Sequence, residues 1–105
     1  MSSGYALHPE AFADLDDIRN YIAQHSPDAA DRIIVEIFNN LRGLAPFPHQ
    51  GHRRPDLTSR PLRFILECEY LIAYAPEENP LWVVAVIHAR RNPRIMAAIL
   101  RDRET

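Results

Sequence analysis

Two apolar stripes at helical spacing constrain the fold of this chain more than any other feature. The first stripe consists of Ala11, Leu15, Ile18 and Ile22, and the second of Ala30, Ile34, Ile37, Leu41 and Leu44. Between them, Ser26-Pro27-Asp28 is typical of a helix start, with Ser26 as the N-cap and Pro27 at the first helical position. Two amphipathic helices joined by so short a turn are expected to lie antiparallel, as a hairpin.

The remainder of the chain alternates short apolar runs with turn residues, which predicts strands. The expected strands are Tyr5–His8, Leu62–Glu67, Tyr70–Tyr74 and Leu81–Ala89, and Asn92-Pro93 should begin a final short helix. The last strand is apolar on both faces, as in the centre of a sheet. At 105 residues the chain predicts one domain over residues 1–105. Its fold class is α+β, an N-terminal helical hairpin packed on a small antiparallel sheet, in the order βααβββα.

The basic side chains are distributed unevenly and are all arginine. Residues 1–50 hold seven acidic residues and three arginines, whereas residues 51–105 hold seven acidic residues and nine arginines. Arginine stays protonated, so it can bind phosphate or carboxylate but cannot act as a general base. Any proton transfer must therefore come from His, Glu, Asp, Tyr or Cys.

Six of these arginines flank the expected strands, namely Arg53, Arg54, Arg60, Arg63, Arg90 and Arg91. If the strands are adjacent, up to six guanidinium groups could share one rim of the sheet. Such a rim would suit RNA phosphates or an acidic protein segment equally well. The alternative is a set of solvated surface charges, partly paired with Asp56 and Glu67.

Several function classes are not expected from this sequence. No apolar run reaches the roughly 18 residues that span a bilayer, so no membrane association is predicted. The lone Cys68 cannot form an internal disulfide, which agrees with a reducing compartment and a cytoplasmic protein. His49 and His52 lie in a loop without the four ligands of a structural zinc site. We therefore expect no metal, and without a Gly-rich phosphate loop we expect no cofactor.

Four segments together carry a family resemblance. They are Tyr5-x-Leu-x-Pro9-x-Ala11-x-x-Asp14-Leu15 with Ile18 and Tyr21-Ile22; Ser26-Pro27 with Ala30; Leu44-Ala45 followed by Pro48 and Gly51; and Tyr70-Leu-Ile-x-Tyr74 with Val86-Ile-His88-x-x-Arg91. In this order and at this length, the chain resembles the ParE/RelE superfamily from Tyr5 to about Leu100. These proteins are the toxin halves of bacterial type II toxin–antitoxin pairs.

The resemblance implies a cognate antitoxin as partner, hence a hetero-oligomer, and leaves the target open. ParE-like members poison DNA gyrase, whereas RelE-like members cut messenger RNA in the ribosome. We favour the ParE-like branch because the long helical hairpin is intact and the set of acid–base residues is small. The first alternative is a ribosome-dependent endoribonuclease. The second is a degenerate member that binds an antitoxin and has lost toxicity.

If the chain is a nuclease, His88 and Glu67 are its acid–base candidates, and Arg63 and Arg91 are candidate cations. RNA cleavage without a metal needs a base, an acid and cations that stabilise the charge on phosphorus. By simple alternation, His88 should share a strand face with Trp82, Val84 and Val86; a half-buried structural histidine is the alternative. RNA-cutting relatives cluster Lys, His or Tyr on and after this strand, and no Lys or Tyr follows it here.

Aromatic residues outside the two stripes are the candidates for a protein-binding surface. A chain of this size with one thin sheet is expected to leave some apolar side chains exposed. Family resemblance implies that a C-terminal segment of the antitoxin lies across the hairpin and the sheet. The predicted antitoxin-binding residues are Tyr21, Phe38 and Phe47.

Overall fold

The computed structural model describes residues 4–103 and confirms the predicted α+β class and the order βααβββα. The observed strand ends agree with the predicted ones to within one residue. The elements are β1 (Tyr5–Leu7), α1 (Pro9–Ala23), α2 (Pro27–Leu44), β2 (Arg63–Glu67), β3 (Tyr70–Ala75), β4 (Leu81–His88) and α3 (Pro93–Asp102). None of the helices in residues 4–103 has the length and apolar character needed to cross a membrane.

The helical hairpin forms where its sequence signals predict it. The Ser26 hydroxyl accepts a hydrogen bond from the amide of Ala29 at 3.2 Å, and Pro27 occupies the first position of α2. At the start of α1, His8 is the N-cap, and its Nδ1 accepts a hydrogen bond from the amide of Glu10. These caps satisfy backbone donors that an α-helix leaves free at its N-terminus. Both stripes then bury their central residues against the sheet.

The sheet has the strand order β1-β4-β3-β2, with β4 in an interior position as its apolar sequence predicts. Strands β2, β3 and β4 pair antiparallel. β1 instead pairs parallel with β4, so the sheet is mixed where an antiparallel sheet was expected. A parallel pair requires a crossover connection, and the helical hairpin with β2 and β3 forms that connection between β1 and β4.

A β-bulge in β4 changes which residues face the hairpin. Ala73 pairs with Ala85 and Tyr74 pairs with Val83, so Val84 is an extra residue on β4. A bulge of this kind shifts the alternation of side chains by one position. Val83 and Val86 consequently face the hairpin, while Val84 and Ala85 face the opposite side of the sheet.

The bulge makes the predicted face of His88 partly wrong. His88 pairs with Tyr70 and lies on the hairpin face with Val86, as expected. Trp82 and Val84 lie on the other face, because they precede the shift in alternation.

The second face of the sheet is covered by α3 and by the loop before β2. Met96 and Leu100 of α3 are buried there against a cluster that includes Leu57, Leu62 and Phe64. Arg60 donates to the carbonyl oxygen atoms of Leu100 (2.9 Å) and Arg103 (3.1 Å), which are acceptors at the end of the helix. The loop is thereby tied to the C-terminal end of α3.

Gly51 allows the same loop to approach the sheet closely. Its amide donates to the hydroxyl oxygen of Tyr74 at 2.9 Å. A Cβ atom at this position would lie 2.6 Å from that oxygen and 2.7 Å from the carbonyl oxygen of Phe64. Only glycine fits without displacing the backbone of β2.

Candidate functional site

A cleft of about 300 Å³ lies between α1, the end of β4 and α3. We call it the α1–β4 cleft. Its walls combine apolar, aromatic and charged side chains. The residues relevant to chemistry are Asp14, Asp17, Tyr21, Tyr70, His88 and Arg91. Three of the predicted site residues, His88, Arg91 and Tyr21, are therefore brought to one place.

Both ring nitrogen atoms of His88 have partners. Nδ1 accepts a hydrogen bond from the amide of Arg90 at 3.1 Å, and Nε2 lies 3.1 Å from Oε1 of Glu69. Because Nδ1 accepts a hydrogen bond, the ring proton is on Nε2, which donates a hydrogen bond to the Glu69 carboxylate. The ring also meets Tyr70 edge-on, with 5.3 Å between ring centroids. His88 is half-buried and held by these contacts, as expected for a histidine with a structural role.

The second acid–base candidate, Glu67, does not approach His88. Glu67 pairs with Tyr70, and Tyr70 pairs with His88, so the phenol ring stands in the row between them. Two strand spacings put their backbones roughly 10 Å apart. The Glu67 carboxylate instead accepts from the amide nitrogen of Asn40 on α2. Burial, together with the charge of Glu69, raises the pKa of Tyr70, which makes that phenol a poor base near neutral pH.

The expectation that six arginines share one rim is wrong. Arg63 begins β2 beside Tyr74, at the end of the sheet where β4 starts, whereas Arg90 and Arg91 follow the end of β4. An isolated bridge between His52 and Phe64 holds Arg53 and Arg54 near the start of β2 as well. The reason is strand direction: β2 and β4 run the same way, so the start of one and the end of the other lie at opposite ends of the sheet.

Three of the arginines near the start of β2 are engaged within the protein. Arg54 forms a two-point pair with Asp56 (3.0 and 2.8 Å), which raises the pKa of Arg54 and lowers that of Asp56. Arg63 donates to the carbonyl oxygen of Gly51 at 2.7 Å. Arg60 caps α3, as described above. Their contacts match the alternative of partly paired surface charges, although Asp56 is the partner and Glu67 is not.

The three aromatic residues predicted to bind the antitoxin do not form one surface. Tyr21 and Phe47 are 66% and 65% exposed, as expected. Phe38 is half-buried, packs against the core and stacks on Tyr5, so its predicted exposure is wrong. Tyr21 lies in the last turn of α1 and Phe47 follows the end of α2, which places them at opposite ends of an antiparallel hairpin.

A shallow apolar groove between α1 and α2 contains residues that sequence reasoning missed. The hairpin groove has a volume of about 140 Å³ and is lined by Phe12, Leu15, Asp16, Arg19, Ile34 and Phe38. Phe12 is 64% exposed, and Val35 on α2 is also exposed. Both residues lie outside the apolar stripes of their helices. Tyr21 was selected because it lies outside its stripe, and the same criterion applied to every apolar residue of the two helices would have found Phe12 and Val35. Leu66 and Ile95 are further exposed apolar residues, on β2 and α3.

Cys68 lies between two carboxylates at the tight turn that joins β2 and β3. Its Sγ is 3.2 Å from Oε1 of Glu36 and 3.6 Å from Oε2 of Glu67. Partial burial and these two acidic neighbours raise the pKa of the thiol to about 11. Within residues 4–103, these three side chains are the group whose ligand atoms lie close enough together for a metal ion. His49, in contrast, bonds to Glu77 at 3.1 Å.

Comparison with known proteins gives the class of protein that this fold defines. A family model described as the ParE toxin of the type II toxin–antitoxin system, parDE, matches residues 5–93. The chain is also similar to the Toxin RelE2 of Caulobacter vibrioides, with 36% identity over 81 residues that cover 77% of this chain and 89% of that protein. These matches define a toxin of a type II toxin–antitoxin system. The chain belongs to the ParE toxin family, within the ParE/RelE superfamily, and such a toxin has a cognate antitoxin.

Proposed function

We propose that this toxin belongs to the gyrase-directed branch and acts by binding DNA gyrase in the cytoplasm, without cutting RNA. The observation that carries the proposal is the dispersal of the acid–base candidates. Both nitrogen atoms of His88 are occupied, and Tyr70 separates His88 from Glu67. Metal-independent cleavage needs a base, an acid and cations within reach of one phosphate.

The placement of the arginines supports the same proposal. Arg63, a candidate cation for the nuclease, lies at the far end of the sheet from His88 and is bonded to Gly51. Arg90 and Arg91 remain exposed at the end of β4. A toxin that acts by binding needs only an exposed, charged surface such as that of Arg90 and Arg91, because no proton has to be transferred.

We further propose that the hairpin groove receives an apolar segment of the antitoxin. Phe12 offers a largely exposed ring there, and Phe38 and Ile34 form the floor. A helix or strand that inserts apolar side chains into such a groove is a common mode of peptide recognition. We expect Phe12→Asp to weaken antitoxin binding, whereas Ile95→Asp, an exposed position on the other side of the sheet, should leave it unchanged.

The decisive experiment adds the purified chain to two reactions in parallel. One is DNA supercoiling by gyrase, with linear DNA from trapped cleavage complexes as a second readout, and the other is translation in a cell-free extract. We expect the chain to inhibit supercoiling and leave translation intact, with full relief on addition of the antitoxin. Inhibited translation with intact supercoiling would contradict the proposal.

The ribosome-dependent endoribonuclease remains the second candidate because His88, Arg91 and Tyr70 line one cleft. If the contact between His88 and Glu69 opened on the ribosome, the imidazole could exchange a proton with an RNA hydroxyl group. Cleavage of messenger RNA in the translation reaction would favour this candidate. A chain that binds its antitoxin and inhibits neither reaction would instead be the degenerate family member.

A further inference from the structure

The outward side of α3 carries Arg94 and Arg101, two arginines that the proposed function does not use. Met96 and Leu100 are the buried residues of this helix, so Arg94 and Arg101 lie on its exposed side, four and three residues from Ala98. Arg90 and Arg91 are exposed in the turn just before the helix. We call these four residues the α3 arginine face.

None of these four guanidinium groups has a hydrogen-bond or ion-pair partner among residues 4–103. Other arginines differ: Arg54 binds Asp56 and Arg103 binds Asp14. Three of the carboxylates near the face are already paired: Glu69 with His88, Asp14 with Arg103 and Asp56 with Arg54. Among the described residues near it, two exposed carboxylates remain, Asp17, which lines the α1–β4 cleft with Arg91, and Asp102, next to Arg101. The face therefore keeps a net positive charge that an anionic partner could neutralise.

The composition of the face indicates which anion it fits. No aromatic side chain lies on it, so it lacks the stacking platform with which proteins hold single-stranded nucleic acid. Its centre is Ala98, whose side chain is too small to be the apolar anchor that protein interfaces need. Arginine forks suit phosphate oxygen atoms. Arg94 and Arg101 are seven residues apart, or about 10 Å along the axis, close to the roughly 12 Å width of the DNA major groove.

We propose that the α3 arginine face binds the phosphate backbone of double-stranded DNA without reading its sequence. This binding does not require gyrase, so it can be measured on the chain alone, and its failure would leave the gyrase proposal standing. Arg90 and Arg91 extend the row of charges beyond the helix. The same DNA that gyrase holds could then retain the toxin near its target.

The test is fluorescence anisotropy of a labelled duplex of arbitrary sequence, titrated with the purified full chain over a salt series. Neutralising four phosphates predicts a slope of about −3.6 in log K against log salt, or about a 10²-fold loss of affinity between 50 and 200 mM. Arg94→Ala/Arg101→Ala should move the slope toward zero by about 2. The control Arg32→Ala/Arg42→Ala removes the same charge from α2, across the sheet, and should change nothing.

Circular dichroism first establishes that both double variants are folded. A slope that is the same in Arg94→Ala/Arg101→Ala and in the original chain would overturn the proposal. So would equal losses in the two double variants, because net charge alone would then explain binding. Binding of single-stranded DNA or RNA as tight as that of the duplex would also contradict it, as would the absence of binding at 50 mM salt.

Discussion

Asp14 and Arg103, 89 residues apart, form a two-point ion pair that ties the first helix to the end of the last one. The nitrogen–oxygen distances are 2.6 and 2.9 Å, and the side chains of Arg103 and Asp14 are 12% and 16% exposed, respectively. The bond to Asp14 raises the pKa of Arg103. Asp14 also accepts from the amide of Val86, and Arg103 donates to the carbonyl oxygen of Val84. The pair thus satisfies backbone groups around the β4 bulge.

We predict that Arg103→Met lowers the free energy of unfolding by about 3 kcal/mol, because it leaves a largely buried carboxylate without its counter-charge. Chemical denaturation measures the change. The matched control is Arg19→Met, which breaks the exposed pair with Asp31 and should cost less than about 1 kcal/mol. Equal, small losses in both variants would show that the Asp14–Arg103 pair is no more stabilising than a surface pair.

The buried stripe of α2 gives a second prediction about stability. Ile37 and Leu41 are fully buried, so truncating either to Ala should cost about 2–5 kcal/mol. Val35 lies on the same helix but is exposed, and Val35→Ala should change the free energy of unfolding by less than about 0.5 kcal/mol. If Val35→Ala proved as costly as Ile37→Ala in urea denaturation, the assignment of the buried face would be wrong.

The helices and the central strand could be predicted because their signals are local. The spacing of Ile37 and Leu41, the Ser26-Pro27 start and the apolar run of β4 each depend on neighbours within one or two turns. Local signals also selected Tyr21 as exposed. These features need no knowledge of which segments pair.

The sequence predictions that proved wrong depend on how distant segments of the chain pair with one another. The bulge at Val84 depends on the pairing of β4 with β3, and it moved His88 away from the face of Trp82. The shared arginine rim failed because the direction of β2 relative to β4 separates Arg63 from Arg91. The partner of Asp14 lies at the other end of the chain, and no periodic pattern links them.

The pKa of Cys68 leads to a prediction about its reactivity. A pKa of about 11, against 9.0 for an ordinary thiol, reduces the thiolate fraction at pH 8 about 10²-fold, and the thiolate is the reactive form. Because a thiolate of higher pKa is also more nucleophilic, alkylation by iodoacetamide should be about 10-fold slower in the folded chain than in urea. Glu36→Gln removes a negative neighbour and should speed the reaction. Equal rates in folded and unfolded chains would contradict this account.

The pair of variants His88→Gln and Arg91→Glu distinguishes a binding toxin from a nuclease. Losing a general acid–base group usually costs about 10²–10⁴-fold in rate, so a nuclease should lose toxicity with His88→Gln. A toxin that acts by contact should tolerate His88→Gln and be weakened by the reversed charge of Arg91→Glu. Growth inhibition on induction is the readout, and antitoxin binding by both variants serves as the control for folding. A harmless His88→Gln protein beside a fully toxic Arg91→Glu protein would favour the nuclease.

The order of events after induction of the toxin alone tests the central claim most directly. Bacteria that express the chain without its antitoxin are sampled over time for DNA damage, with an SOS reporter, and for protein synthesis, by incorporation of a labelled amino acid. A gyrase-directed toxin should raise the SOS signal while protein synthesis continues. An arrest of protein synthesis that precedes any DNA damage would contradict the account.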